Sequence, residues 1–524
     1  MPTFPPVIFG IAFAALIVAL SALARRLPIP TPILQLVAGL ALGLAPGIAT
    51  PELDPDLVFF VFLPPILWSA AMFTSPREFR RNIGNIGLLA VGLVLVTTAV
   101  VAMAAHALLP GMPWAVAVAL GAIVSPPDAV AATAIVSRLP VPRRVITVLE
   151  GESLVNDASA LVLYRTAVAA AVIGSFSWGE SVVRFFIDAG IGSLIGLLVG
   201  WIAIWAMCLT RDALAETLLT LAAPYVAWLT AESLHVSAVL ACVAGGLYMQ
   251  QNLSVAVGPA SRLQIRTVWD LAVFLLNAMV FLLLGAQFGT LLAGLRGESL
   301  VTVFRTGAII AGVAIAVRLL WVPLLTLVRL ARTDKSRRTP PRWKALFLVS
   351  WTSMRGVVSL ATALALPRTL ASGAPFPYRT EIILITMSVI VLTLVIQGLS
   401  LEPIIRAFRF EPENEPLEEE RLARREATRR GAEALDDLAH EDWVDQRDVD
   451  VLRAEVRERA RMSEVEGGSH EGRRRLRLAM IAAERRMLIR LRDEGAISDE
   501  VLRSLEQELD LESVRAGAGE ERSY

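Results

Sequence analysis

Long apolar segments separated by short polar ones make up the first 410 residues of the chain. Thirteen of these segments are long enough to cross a bilayer as helices, because about 20 residues span its hydrocarbon core. They cover residues 7–24, 33–49, 56–73, 83–109, 113–136, 145–173, 185–209, 214–233, 236–254, 267–288, 299–330, 344–366 and 381–407. The pattern therefore predicts an all-α polytopic membrane protein with about 13 transmembrane helices.

A different pattern begins after position 410. Residues 411–416 read Glu-Pro-Glu-Asn-Glu-Pro, and charged sequence with helical periodicity follows them. This change of composition predicts a transmembrane domain at 1–410 and a charged, α-helical tail at 411–524 with a regulatory role. Within the tail, helices are expected at about 417–436, 443–463, 473–494 and 499–513.

Charge is distributed unevenly between these two parts, although the whole chain has a formal net charge of zero. Residues 1–410 carry 28 Lys and Arg against 18 Asp and Glu, whereas residues 411–524 carry 21 against 31. Eighteen basic residues fall in one alternating set of loops and only five in the other. Because cytoplasmic loops collect Lys and Arg, this bias predicts an external N-terminus and a cytoplasmic tail.

Arg473, Arg474 and Arg475 form a basic run within the acidic tail. Such a run can bind nucleic acid in other settings, but this one belongs to a tail attached to a membrane domain. A solvated helix face or a contact with anionic lipid is therefore the favoured interpretation. No nucleic-acid partner is expected.

Two of the apolar segments are interrupted near their centres. Segment five contains Ser125–Asp128 (Ser-Pro-Pro-Asp), and segment twelve contains Trp351–Gly356 (Trp-Thr-Ser-Met-Arg-Gly). Proline cannot donate a helical hydrogen bond, so segment five is expected to unwind beside Asp128. Thirteen helices divide into six, one and six, which would place two six-helix repeats in opposite orientations and the two interruptions at matching positions. Unwound backbone at this depth is tolerated where it lines a cavity.

The sixth segment opens with a group of polar side chains, Glu150, Glu152, Ser153, Asn156 and Asp157. Ser153 and Asp157 share one face of the predicted helix, and Glu152 and Asn156 share the adjacent face. An ionised carboxylate is costly inside a bilayer and normally faces a polar cavity, a partner or an ion. Asp157 has no cationic neighbour in its own helix, so we expect it to bind a proton or an ion in turn.

These side chains could form a site for a transported cation. A hard cation such as Na⁺ prefers several oxygen ligands. Oxygens are offered by the carboxylates of Asp157 and Asp128, the Ser153 hydroxyl, the Asn156 amide and the unwound backbone near Pro126. Asp157 and Asp128 are therefore the expected ligands of a transported monovalent cation, and no cofactor is expected.

Glu152, Arg318 and Arg355 are further charged residues inside predicted spans. A buried Glu normally pairs with a basic side chain, because an uncompensated buried charge is costly. Glu152 is therefore expected to form a structural ion pair with either Arg355 or Arg318. Arg355 is favoured, because its segment is expected to cross the site.

Three motifs occur in order within residues 1–410, namely Ser125–Ala131, Glu150–Asp157 and Met354–Gly356. Together they resemble the monovalent cation/proton antiporter family of bacterial and animal sodium/proton exchangers. The resemblance implies a thirteen-helix fold whose six-helix core is crossed by two unwound helices, usually dimeric, exchanging Na⁺ or sometimes K⁺ or Li⁺ for H⁺. It also implies that Asp157 binds the ion and the proton with Asn156 as its amide partner, that Ser153 and Asp128 are further ligands or supports, and that Glu152 pairs with an arginine.

Two positions depart from the family pattern. Many relatives have an acidic residue after Leu-Pro-Pro in the third helix, where this chain offers only Ser69. Many also have Thr before the aspartate of the unwound helix, where this chain has Pro127 and therefore only a carbonyl. The preference among Na⁺, K⁺ and Li⁺ is left open for this reason.

Three classes of function were weighed: an exchanger, a passive cation channel and a membrane sensor that signals through the tail. A channel needs a filter-like sequence, and a sensor usually carries a recognisable output module; the chain has neither. Metalloprotease spacing, a phosphate-binding glycine loop and a nucleophile elbow are also missing from the sequence, so an enzyme is not expected.

The sequence therefore predicts a secondary antiporter of the cell membrane. Asn156 replaces what would be a second titratable carboxylate, which predicts electroneutral exchange of one cation for one proton. The expected partners are the bilayer, the two exchanged ions and a second copy of the chain in a homodimer. The expected role is pH and sodium homeostasis.

Overall fold

The computed structural model describes residues 6–24, 26–27, 29–45, 58–136, 139, 141–173, 178–293, 298–332, 343–410, 415–441, 444–464, 469–494 and 499–515. Helices are the regular secondary structure of these residues, apart from an isolated bridge between Thr369 and Pro375. The chain divides into two units, Met1–Pro412 and Glu413–Tyr524. This division lies close to the change of composition after residue 410.

The helices of the first unit follow one another along the chain with short connections. They are α1 (Pro6–Ala24), α2 (Thr31–Leu44), α3 (Leu63–Phe73), α4 (Pro76–Gly87), α5 (Val94–Leu108), α6 (Trp114–Val124), α7 (Ala129–Val136), α8 (Arg143–Ile173), α9 (Trp178–Thr210), α10 (Ala213–Ser233), α11 (Ala238–Ala256), α12 (Pro259–Ala293), α13 (Glu298–Arg332), α14 (Trp343–Trp351), α15 (Val357–Leu364) and α16 (Arg379–Phe408). Two π-helical turns, Val58–Phe62 and Leu88–Leu93, lead directly into α3 and α5.

Six helical stretches of the described chain are long and apolar enough to cross a membrane. They are Leu88–Leu108, Phe186–Thr210, Ala213–Ser233, Pro259–Leu292, Val301–Val328 and Arg379–Phe408. The sequence-based prediction of an all-α membrane protein is confirmed in this form. The count of thirteen spans and the inverted repeat stay predictions.

Two helices are broken where the sequence predicted interruptions. Ser125–Asp128 separates α6 from α7, and Thr352–Gly356 separates α14 from α15. The two breaks lie together, because the Asp128 backbone N–H donates to the Met354 carbonyl at 2.7 Å. Each unwound segment therefore satisfies part of the backbone of the other, which makes the crossing tolerable inside an apolar bundle.

Buried apolar side chains form two main cores in the first unit. One core packs around the crossing and includes Leu120 on α6, Ile310 on α13, Leu360 on α15 and Ile390 on α16. The other joins α3 with α9, α10, α11 and α12, and includes Trp68, Met207, Trp228, Cys242 and Trp269. The crossing thus packs mainly in the first core and α3 in the second, while α12 contributes buried side chains to both.

Helices α2 and α12 pack against each other through glycines on both helices. Gly39 and Gly43 lie on α2, and Gly285 and Gly289 lie on α12. A Cβ on Gly39 would lie 2.0 Å from the Leu282 carbonyl oxygen. Small residues four apart let two backbones approach closely, and such packing is a main source of helix association in a membrane. Glycine at these positions is therefore required by the contact.

Gly39→Ala is expected to destabilise the first unit by about 1–3 kcal/mol, the usual cost of overpacking, because the added methyl group meets backbone that cannot turn aside. Thermal unfolding of the purified protein in detergent measures the effect. Gly312→Ala on α13 is the matched control, because nothing lies within 4 Å of the Cβ it would add. Equal melting temperatures for the two variants would contradict the close packing.

The second unit contains α17 (Glu415–Leu438), α18 (Gln446–Glu464), α19 (Ser469–Asp493) and α20 (Asp499–Arg515). Helix α17 packs on α18, and α19 packs on α20. An ion pair joins each hairpin: Arg453 Nη2 lies 2.7 Å from Asp436 Oδ1 in the first, and Arg485 pairs with Asp510 in the second. Four helices were predicted here, and the structure places them near the predicted ranges.

Candidate functional site

A cavity of about 550 Å³ lies beside the crossing in the first unit. Asp157, Asp128 and Ser153 line it, so the structure brings three of the predicted site residues together. Asp157 lies in the middle of α8 and is 6% exposed. Asp157 therefore reaches an open cavity although its side chain is almost completely buried.

Asn156 fixes α8 to the first broken helix. Its Nδ2 donates to the Pro127 carbonyl at 2.9 Å, and the residue is fully buried. Its Oδ1 has no hydrogen-bond partner among the described residues. Pro127 has no side-chain hydroxyl, and its backbone carbonyl accepts the hydrogen bond from the Asn156 amide. The Asn156 amide oxygen can therefore accept a hydrogen bond or bind a cation.

Asp128 lies where the N-termini of two half-helices meet. It directly precedes α7 and contacts Gly356, which directly precedes α15; a Cβ on Gly356 would lie 1.6 Å from Asp128 Oδ2. Helix N-termini carry partial positive charge and stabilise an anion. A second carboxylate can therefore be held next to the cavity that Asp157 lines.

The Arg355 side chain lies beside the C-terminal ends of the two half-helices that precede the breaks, α6 and α14. Its Nε donates to the Val124 carbonyl at 2.6 Å, and its Nη1 donates to the Ser353 carbonyl. Val124 is the last residue of α6, and Ser353 follows the end of α14. Because helix C-termini carry partial negative charge, the Arg355 guanidinium neutralises both ends.

The buried ion pair forms between Glu152 and Arg318, which corrects the sequence-based preference for Arg355. Both terminal nitrogens of Arg318 donate to the Glu152 carboxylate, Nη2 to Oε2 at 2.7 Å, and each residue is 1% exposed. Arg318 Nε also donates to the Val349 carbonyl at 3.0 Å. The pair therefore ties α8 to α13 and to α14.

Polar residues outside the predicted set of ion ligands also line the cavity. Asp270 and Asn277 line it from α12, and Gln35 lines it from α2. Asp270 and Asn277 are seven residues apart, so they share one face of α12, and this spacing is the signal by which the sequence could have identified them. Glu150 lines the cavity from α8, seven residues before Asp157. Asp128, Glu150, Asp157 and Asp270 together bring four carboxyl groups to the cavity lining, which makes the cavity attractive to cations.

Ser69 lines the cavity from α3, and its hydroxyl donates to the Ile66 carbonyl at 3.0 Å. The third helix thus presents a neutral oxygen where many relatives are expected to have a carboxylate. In the part of the chain that the structure describes, no group of three or more His, Cys, Asp and Glu side chains is placed to hold a metal ion. Asp157, Asp128 and Ser153 instead bring carboxylate and hydroxyl oxygens to the cavity lining.

Comparisons with known proteins show which family the chain resembles. Residues 12–407 match the family described as sodium/hydrogen exchanger, transmembrane. Over 96% of its length the chain is 35% identical to an uncharacterised Na⁺/H⁺ exchanger of Mycobacterium tuberculosis, of which it covers 95%. Over 74% of its length it is 34% identical to a sodium, potassium, lithium and rubidium/H⁺ antiporter of Bacillus pumilus, of which it covers 59%.

The fold is similar to that of the sodium proton antiporter MjNhaP1 of Methanocaldococcus jannaschii, with a TM-score of 0.59 and 21% identity. The likeness covers 76% of this chain and 96% of that protein. The family match includes both broken helices and the polar start of α8, so the resemblance drawn from the three motifs is confirmed. Exchangers of this kind are transporters rather than enzymes, and the chain belongs to the sodium/hydrogen exchanger family.

Proposed function

We propose that the chain is a secondary antiporter that exchanges one monovalent cation for one proton, with Asp157 binding each in turn. The observation that carries this proposal is a buried carboxylate that lines an open cavity beside two broken helices. Na⁺ is the proposed cation, with K⁺ and Li⁺ as alternatives, since the name of the Bacillus pumilus relative includes all three. The proposed role is pH and sodium homeostasis at the cell membrane.

Asp157 is the group that changes protonation in this mechanism, because the charges of Glu152, Arg318 and Arg355 are already engaged. Glu152 is paired with Arg318, and Arg355 is bound to the C-terminal carbonyls of α6 and α14. Asp128 stays ionised at the N-termini of α7 and α15. Proton and cation therefore compete for a single carboxylate.

Cation binding draws on oxygens that surround Asp157. Ionised Asp157 supplies the charge, while Asn156 Oδ1, the Ser153 hydroxyl and Asp128 supply further ligands. The buried Asn156 Oδ1, which has no hydrogen-bond partner in the described part of the chain, supports this assignment. Protonation of Asp157 removes the charge and releases the cation into the cavity.

The membrane arrangement is proposed from the loop charges and the helix breaks. The N-terminus lies outside, the tail lies in the cytoplasm and regulates exchange, and about 13 spans form two inverted six-helix repeats. The cavity reaches Thr74, at the end of α3 that the charge bias places inside, which supports an inward-open state. A homodimer is proposed by analogy with the family resemblance.

Exchange is expected to be electroneutral and independent of membrane potential. The measurement is cation-driven proton movement in proteoliposomes, with the potential clamped at zero and then at about 100 mV, where each net charge moved would be worth about 2.3 kcal/mol. The two initial rates should agree. Uphill cation transport driven by the potential would contradict the proposal and would mean that a second group, most directly Asp128, titrates as well.

Lower pH is expected to raise the apparent KM for the cation while leaving the maximal rate at saturating cation unchanged. The reason is direct competition, because a protonated Asp157 cannot bind the cation. Initial rates measured over a range of cation concentrations at several pH values test this expectation. A fall in maximal rate at constant KM would instead indicate a separate pH-sensing group.

A further inference from the structure

Helix α19 of the second unit carries an exposed apolar stripe. Leu476, Met480 and Met487 are 74%, 54% and 51% exposed, and Ala483 is exposed between them. At about 100° per residue, these four positions fall on one side of the helix. Ile481, on the other side, is 2% exposed, because that side packs within the hairpin. The helix therefore has one apolar face that is buried in the hairpin and a second apolar face that is exposed.

Arginines border the exposed stripe on both sides. Arg477 lies along one edge, and Arg486 and Arg490 lie along the other; all three are exposed. Glu484 lies near the first edge. Helix α19 as a whole has eight Arg against three Asp and Glu, whereas its neighbour α20 has two Arg against six. The positive charge of the hairpin is thus gathered on the helix that carries the stripe.

We propose that α19 binds the anionic lipid surface of the membrane that holds the chain. Leu476, Met480 and Met487 enter the boundary between headgroups and acyl chains, as in other amphipathic helices that lie in the membrane plane. Arg477 and Arg486 extend along the apolar surface and place their guanidinium groups at the lipid phosphates.

Charge complementarity favours lipid over a second copy of the chain. A second α19 would bring the same arginines against the stripe, and like charges repel. A cytoplasmic leaflet that contains anionic lipid attracts them instead. A single short apolar contact binds a membrane weakly, but the tail is covalently joined to a transmembrane unit, which raises the local concentration of lipid.

A spin label at Ala483→Cys in the full-length protein tests the proposal. Cys208→Ser provides the background, because Cys208 is exposed while Cys242 is buried. The protein is reconstituted in phosphatidylcholine vesicles with or without phosphatidylglycerol, and accessibility of the label to oxygen and to a water-soluble nickel chelate is compared. Glu508→Cys on α20, which is also exposed, gives the control label.

The Ala483 label is expected to enter lipid in the phosphatidylglycerol vesicles, while the Glu508 label stays in water. Insertion should weaken as salt is raised from about 0.1 M to about 1 M, because the Debye length falls from about 10 Å to about 3 Å. A label at Ala483 that stays accessible to the nickel chelate in phosphatidylglycerol vesicles would overturn the proposal. Concentration-dependent immobilisation in lipid-free detergent would also overturn it, since a protein contact would then cover the stripe.

Two sets of substitutions separate charge from apolar contact. Arg477→Gln, Arg486→Gln and Arg490→Gln together should shift the equilibrium toward the water-exposed label by about fivefold per arginine. Leu476→Gln, Met480→Gln and Met487→Gln together should abolish insertion while keeping the charge. Arg425→Gln, Arg447→Gln and Arg457→Gln together form the control, because they remove the same charge from exposed positions on α17 and α18. An equal shift in the control would refute a specific role for α19.

Discussion

Asp157→Asn is expected to abolish cation/proton exchange while leaving the protein folded. The amide keeps the shape of the carboxyl group, but it can neither release a proton nor balance the charge of a cation. Both halves of the proposed cycle therefore stop, and proton movement in proteoliposomes should fall to the level of protein-free vesicles. Melting temperature in detergent shows whether the variant is folded.

Asp270→Asn is the matched control for this variant, because it makes the same chemical change at another residue that lines the same cavity. Asp270 contributes to cation attraction in the cavity, so its loss should raise the apparent KM for the cation and leave exchange active. Exchange at the wild-type rate by well-folded Asp157→Asn protein would exclude Asp157 as the site of ion and proton binding.

Glu152→Gln is expected to lower stability by about 3–5 kcal/mol, the usual cost of leaving a buried charge without its partner. Arg318 would then keep its charge at 1% exposure with only the Val349 carbonyl and a neutral amide as acceptors. The loss should exceed that of Asp157→Asn, because Asp157 does not neutralise an arginine in the structure. Thermal unfolding of the three proteins in the same detergent gives the comparison.

Removing both partners distinguishes an ion pair from general damage to the core. Glu152→Leu combined with Arg318→Met should recover most of the lost stability, because replacing a whole buried pair by apolar groups is often neutral or stabilising. Glu152→Gln protein as stable as the wild type would show that the pair contributes nothing. A double variant less stable than either single one would point to packing at this site rather than charge.

The local features of the site could be predicted from the sequence because their causes are local. Pro126 and Pro127 remove helical hydrogen bonds wherever the segment lies, so the break beside Asp128 follows from the residues themselves. The shared face of Ser153 and Asp157 follows in the same way from helical spacing.

The partner of Glu152 could not be predicted, because it depends on how distant helices pack. Arg318 and Arg355 are both arginines inside apolar segments, and only their positions around α8 distinguish them. The structure shows that Arg355 is engaged by the C-terminal carbonyls of two broken helices, which leaves Arg318 for the carboxylate. The glycine contact between α2 and α12 could not be predicted either. The four-residue spacing of the glycines is visible in each helix, but the sequence does not show that these two helices pack together.

Because Arg318 is bound to Glu152 and Arg355 to the Val124 carbonyl, neither guanidinium is available to Asp157 after it has released its ligand. On the proposed mechanism, an empty carrier would have to change sides with a bare carboxylate, and an unpaired buried charge costs several kcal/mol. Each 1.4 kcal/mol slows a step about tenfold, so the empty carrier should reorient far more slowly than the loaded one. Slippage, in which one ion runs down its gradient alone, is thereby suppressed. The tightness of coupling is then set by two arginines that never touch the transported ion.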